Sequence, residues 1–277
     1  MNLRSILCGL LATGLLAGCS APAASSGAAS ASQQAVTLRV FAAASLTETL
    51  QQIAADYQTQ HPQVQLEFTF DSSGTLKTQI EEGAVCDVFI SAAQKQMDQL
   101  DGQVTDPAIN PEGLDFINTD TRFDLVQNQV VLAVTEENPA QIYSFADLGT
   151  DKLHLLALGN EDVPVGAYSL QILTGLNLLE GLEQRQKISY GSNVKEVTTQ
   201  VLEGAADCGM IYATDAFSAK LTVVDTADTA LYSPAVYPAA ALKASQYPQQ
   251  AADFLNYLKT SPEARSAFEG VGFTMVE

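Results

Sequence analysis

Four short stretches place hydroxyl groups and small residues where a strand gives way to a helix. In Phe41-Ala-Ala-Ala-Ser-Leu-Thr-Glu48, Ser45 and Glu48 are spaced as an S-x-x-E capping box ahead of an amphipathic run. Asp71-Ser-Ser-Gly-Thr-Leu76 is a hydroxyl-rich turn opening a helix marked by Leu76 and Ile80, with Ser73 at its centre. Asp162-Val-Pro-Val-Gly-Ala-Tyr168 puts Val165 beside Gly166, a residue that would let a ligand approach the backbone. Ser192-Asn-Val-Lys-Glu196 spaces Asn193 and Glu196 as a second box around Val194. A helix start carries N–H groups without intrahelical partners and the positive end of the helix dipole. It is a site for an anion that needs neither lysine nor arginine. Any one of these turns alone is an ordinary cap. Four together, with serine hydroxyls among them, describe a cleft for a small anion, each hydrogen bond to the charged acceptor being worth about 1.5–3 kcal/mol.

Other chemistries lack their parts. Ser45 as a nucleophile would need a base, yet His61 and His154 lie near none of the turns and G-x-S-x-G is absent. A serine-dependent hydrolase is therefore a remote alternative, and neither a catalytic residue nor a cofactor is expected. The fold keeps only Cys86 and Cys208, with no CxxC, so no zinc or haem site is expected. A net charge of −19 disfavours nucleic acid and anionic lipid as partners. It does not disfavour a buried anion, because surface carboxylates beyond about 8 Å are largely screened. Asp71, beside Ser72, keeps phosphate open as the ion, since a carboxylate can accept from a protonated oxygen. Asp215 reads as a brace on the hinge side, Arg39 and Lys77 as solvated, and His154 as a strand-end surface residue. Tyr232, Tyr237, Tyr247 and Tyr257 read as packing in the returning segment.

Positioning these turns requires alternating elements. Strands are expected at Thr37–Phe41, Val64–Phe70, Asp87–Ser91, Gln129–Val134, Leu153–Leu158 and Gly209–Tyr212. Between them, Leu46, Leu50, Ile53 and Tyr57 fall on one helical face, as do Ile172, Leu173, Leu176, Leu179 and Leu182. The alternation predicts an α/β protein with mostly parallel sheets flanked by helices. Gln79–Ser91 and Gln200–Tyr212 repeat one plan, a helix closed by glycine and a turn into a buried strand. Two related units predict two similar lobes, with ligand held in the cleft at the strand ends.

The N-terminus sets the compartment. Arg4 precedes an apolar run, Ile6–Ala17, that is shorter than the roughly 20 residues of a membrane span. The run ends in Leu16-Ala17-Gly18-Cys19, which resembles a lipobox. Residues 1–18 are thus read as a signal peptide, with Cys19 the lipidation site and 19–35 a flexible Ala/Ser/Pro/Gln tether. The protein is expected outside the cytoplasm, held to the cell membrane by acyl chains. The length of the rest suits two lobes, placed at 36–128 plus 234–277 and at 129–233, with crossovers near Asn128 and Ser233.

From residue 37 to 277 the chain resembles the periplasmic molybdate-binding proteins of ABC transporters. The motifs that carry the resemblance are Val40-Phe-Ala-Ala-Ala-Ser-Leu-Thr47, Ser72-Ser-Gly-Thr-Leu76, Cys86-Asp-Val-Phe-Ile-Ser-Ala92, Val163-Pro-Val-Gly-Ala-Tyr168 and Gly209-Met-Ile-Tyr-Ala-Thr-Asp-Ala216, followed by Tyr237-Pro238, Tyr257-Leu-Lys259 and Gly272-Phe-Thr274. The resemblance implies the two-lobe type II periplasmic-binding-protein fold, and a monomer that captures molybdate or tungstate and passes it to ABC permease subunits. It implies five ligand positions: Ser45 and Ser73 through hydroxyl and N–H, Val165 and Val194 through backbone N–H, and Tyr212 through its phenol. These hold the metal only as an oxyanion, with no direct metal ligation. Sulfate or phosphate is the alternative ion. Many members have alanine where this chain has Val165, which leaves an N–H unchanged. Cys86 and Cys208, at positions commonly small and apolar, are read as two unpaired residues in separate lobes.

Overall fold

The computed structural model describes residues 35–277. The signal peptide, Cys19 and the tether up to residue 34 lie outside the described residues. No helix among the described residues is long and apolar enough to cross a membrane.

The chain builds two sheets in turn. Strands β1 (Val36–Ala43), β2 (Val64–Asp71) and β3 (Val88–Ile90) alternate with α1 (Thr47–Gln60), α2 (Ser73–Glu81) and the short α3 (Gln94–Asp98). Then β4 (Phe123–Asn128) leaves the first sheet, and after Gln129 alone β5 (Val130–Val134) enters the second. That lobe continues through β6 (Leu156–Gly159), α4 (Pro164–Gly175), α5 (Leu179–Gln184), β7 (Ile188–Gly191), α6 (Val194–Leu202), β8 (Cys208–Tyr212), α7 (Ala213–Ala219) and β9 (Thr222–Thr226). The chain returns as β10 (Ala235–Ala241) and ends with α8 (Pro248–Thr260), α9 (Pro262–Gly270) and β11 (Thr274–Met275) on the first lobe. The sheet orders are β11-β4-β10-β3-β1-β2 and β7-β6-β8-β5-β9.

The two-lobe α/β plan is the expected one, but each sheet is mixed. β1 pairs in parallel with β2 and β3, and β6 with β7 and β8. β10 is antiparallel to β3 and β4, and β5 to β8 and β9. The crossover dictates this. A strand that enters a lobe from the hinge starts at the edge where that lobe's own strands end, so it must run against them. Alternation of strand and helix says nothing about these crossing strands.

Period-2 burial settles the first sheet. Val40, Ala42, Val88 and Ile90 belong to one core with α1, α8 and α9, while Phe41 and Phe89 join Leu76, Ile80 and Met97 under α2 and α3. In the second sheet β5 and β8 are buried along their whole length, the pattern of central strands. The repeated helix–glycine–strand plan is present twice. Gly83 and Gly204 both take positive φ, at 92° and 69°. After α2, Gly83 N–H donates to Ile80 and Ala84 N–H to Gln79, a Schellman closure.

Gly166 serves packing and not ligand approach. A Cβ there would stand 2.3 Å from the carbonyl oxygens of Gly159 and Asn160, against which the start of α4 is pressed. Gly166→Ala should cost about 1–3 kcal/mol by overpacking and lower Tm by several degrees. Gly181→Ala, where nothing lies within 4 Å, should leave Tm unchanged or slightly raised. Calorimetry giving both variants the parent's Tm would refute the packing account.

Candidate functional site

Every parallel strand ends at the gap between the lobes. Ser45 sits just past β1 in a 3-10 turn, Ala44–Leu46, and Ser73 opens α2 after β2. Val165 lies in the first turn of α4 past β6, Val194 opens α6 past β7, and Tyr212 ends β8. The structure brings all five onto the wall of one small pocket, with Ala92, Asp71 and Ser72 among their neighbours. All five are buried. The void is about 10 Å³, room for on the order of one water molecule. A larger cavity of about 570 Å³ lies between α3 and α4. Its walls carry side chains such as Gln94, Gln99, Gln171 and Ile109 and none of the five residues, so size does not mark it as the anion site.

The donor directions at the pocket can be followed from hydrogen bonds behind it. Asn128 Oδ1 accepts from Gln129 N–H at 2.9 Å, which fixes its amide nitrogen as donor to Thr214 Oγ1 (2.8 Å) and Tyr237 Oη (3.3 Å). Having accepted from Asn128, Tyr237 can turn its proton to Ser45 Oγ at 2.9 Å. Ser45 then has its own proton free for the pocket. Ser73 Oγ accepts from Ala92 N–H at 2.9 Å and is likewise left with its proton. Burial pushes the phenols of Tyr212 and Tyr237 well above their ordinary range, so both remain neutral donors. The Tyr212 hydroxyl is buried and, although the Tyr237 phenol is close, makes no hydrogen bond of good geometry among the described residues. Left so, it would cost about 1–3 kcal/mol.

Two sequence expectations are corrected here. Ser45 does not cap α1, whose N-cap residue is Leu46 with no side-chain hydrogen bond, and Glu48 accepts instead from Lys195 at 2.8 Å. The 3-10 turn frees the Ser45 hydroxyl for Tyr237. Asn193 does cap α6 through Glu196 N–H, but Glu196 turns back to Ser192 N–H and hydroxyl, so the reciprocal half of the box is missing. Ser72 caps α2 as its turn implies. Tyr237, read from sequence as packing, stands directly behind Ser45. Only its place in the fold reveals that, since 192 residues separate the two.

The lobes meet across the pocket. Asn193 Nδ2 donates to Asp71 Oδ1 at 3.2 Å, and the Tyr168 hydroxyl to Ala92 carbonyl at 3.4 Å. Asp71 Oδ1 also accepts from Ser72 N–H, so this oxygen of the wall carboxylate is already satisfied twice. A Cβ on Gly74 would lie 2.4 Å from the Asp162 carbonyl oxygen. The structure is a closed form.

Residues 38–274 match the family of bacterial extracellular solute-binding proteins. The chain belongs to that family. Among its relatives is YvgL of Bacillus subtilis, provisionally named an ABC transporter substrate-binding lipoprotein, 36% identical over 94% of this chain and 93% of its own. The molybdate-binding protein ModA of Haemophilus influenzae is 35% identical over 85% of this chain and 89% of its own. The solved periplasmic molybdate-binding protein of Azotobacter vinelandii superposes with a TM-score of 0.74 at 25% identity, covering 87% of this chain and all of the other.

Cys86 and Cys208 of this solute-binding protein are buried and free, one leading into β3 and the other opening β8. Asp215, three residues past Tyr212, is buried, and the Lys195 ammonium lies 3.0 Å from its Oδ1 as an ion contact outside hydrogen-bond geometry. Burial raises its pKa to about 6, against the pull of Lys195. Unfolded, the carboxyl releases its proton near pH 3.8; folded, near 6. Asp215 therefore favours the fold most below the lower value and less as pH rises through the upper one. Relative to Asp215→Asn, the parent should lose up to about 2 kcal/mol between pH 4.5 and 7 and nothing more above it, read by urea unfolding. A constant difference across that range would show an ordinary carboxyl.

Proposed function

We propose that this solute-binding protein captures a tetrahedral dianion, molybdate or tungstate, between its lobes and delivers it to an ABC importer. The observation that carries the reading is the buried, unpartnered Tyr212 hydroxyl, sharing a wall with the two serines whose protons are left free. An acceptor on every side is what such a wall lacks, and a fully ionised oxyanion offers only acceptors. Ser45 and Ser73 would donate from one lobe, with Val165 and Val194 N–H and the Tyr212 phenol from the other. The molybdate-binding names of the Haemophilus and Azotobacter relatives support the choice of ion. Neutral donors suit an ion that carries no proton of its own. Capture proceeds by hinge closure, the donors of both lobes favouring the closed form over the open one. Lipid attachment at Cys19 would keep the monomer beside its permease.

Isothermal titration of residues 36–277 should give micromolar or tighter binding with molybdate and tungstate, and no heat with sulfate or phosphate. The reverse pattern would keep the anion cleft and discard the choice of ion. Ser73→Ala removes one hydrogen bond to a charged acceptor and should weaken molybdate binding roughly 10- to 150-fold. Tyr237→Phe removes a neutral donor one step behind the ion, and a loss of about fivefold is expected. Equal losses in both variants would argue against the donor chain through Ser45.

A further inference from the structure

The start of α6 is held to the first lobe at two points that bracket Val194. Asn193 on one side donates to Asp71, and Lys195 on the other donates to Glu48 at 2.8 Å. Asp71 lies two residues before Ser73, and Glu48 three after Ser45. Lys195 also faces Asp215 in its own lobe at 3.0 Å, and Asp215 lies three residues past Tyr212. The triad of Glu48, Lys195 and Asp215 thus joins α6, which carries Val194 on the pocket wall, to α1 and α7, the helices that follow Ser45 and Tyr212, while none of its members lines the pocket.

We propose that Lys195 is a positioning residue that latches the closed state, an inference that rests on the proposed closure around an oxyanion. Its two contacts differ in kind. The one to Asp215 lies within a lobe and survives opening, and it is needed there because a buried carboxylate without a cation is strongly unfavourable. The one to Glu48 crosses the cleft and exists only when the lobes are shut. Opening therefore leaves Lys195 paired and Glu48 hydrated, so neither state strands a buried charge. Closing adds one ion pair at the helix whose first N–H faces the pocket. The pair adds affinity without touching the ion, by shifting the population toward the closed form. Glu48 and Lys195 side chains are 51% and 31% exposed, so the effect is that of a surface pair, about 1.4- to 5-fold in Kd.

Lys195→Met would strip Asp215 of its cation and risks the fold, so the test uses Glu48. Molybdate titrations of the parent, Glu48→Gln and Glu48→Lys are compared at low and high salt, with Tm of each protein free of ligand. The latch predicts Kd raised about 1.4- to 5-fold in Glu48→Gln and further in Glu48→Lys. Salt should shrink both losses, and ligand-free Tm should match the parent. Parental affinity in both variants, or a ligand-free Tm that falls in step with affinity, overturns it. If the parent itself binds neither molybdate nor tungstate, the choice of ion is lost separately. The latch is then read from small-angle scattering without ligand: a larger radius of gyration in Glu48→Lys supports it, and superimposable curves reject it.

Discussion

An acidic protein that encloses an anion must supply hydrogen-bond donors without supplying positive charge, and the arrangement of strands follows from that constraint. Parallel strands all end on one edge, and each then turns into a helix whose first N–H groups face back over that edge. Setting two such edges opposite each other converges helix starts on one point. Ser73, Val165 and Val194 stand there because β2, β6 and β7 end there. The net charge of −19 is then compatible with the site, since Asp71 on its wall and Glu48 and Asp215 beside its elements are each engaged. Asp71 is held by two N–H donors, and Glu48 and Asp215 share Lys195.

The crossovers serve the same end. β4 passes into β5 with only Gln129 between them, so the chain changes lobes within a single extended run. Asn128, the last residue before that junction, grips Thr214 in the second lobe and Tyr237 on the returning strand. Tyr237 in turn meets Ser45. The hinge and the first serine thus belong to one hydrogen-bonded series in which each donor's direction sets the next. Its members come from three distant parts of the sequence.

What could be read from the sequence was local. The turns that announce helix starts, the apolar run of β8 and the helix–glycine–strand repeat depend on neighbouring residues, and so the strands that end at the pocket were legible. The two glycines at positive φ illustrate this, since their role is set within a few residues of chain. What escaped depends on distant residues. Ser45-x-x-Glu48 has the spacing of a cap, yet tertiary partners, Tyr237 for the serine and Lys195 for the glutamate, outcompete the local pairing. The packing role of Gly166 escapes for the same reason, since sequence cannot show the carbonyls of Gly159 and Asn160 pressed against it. The antiparallel course of β5 and β10 comes from the path of the chain between lobes, which alternation of element types does not encode.

Gly74 and the Asp162 carbonyl give the closed cleft a hard stop. A side chain at such a meeting point could rotate away and let the lobes settle at a range of separations. Two stretches of main chain, one opening a helix and the other leading into one, have no comparable freedom. The distance between the serines of one lobe and the helix starts of the other is therefore gauged by backbone against backbone, independent of what lies between. An ion smaller than the gauge is left with long bonds on one side, and one that is larger holds the jaws apart before the cross-cleft pairs can form.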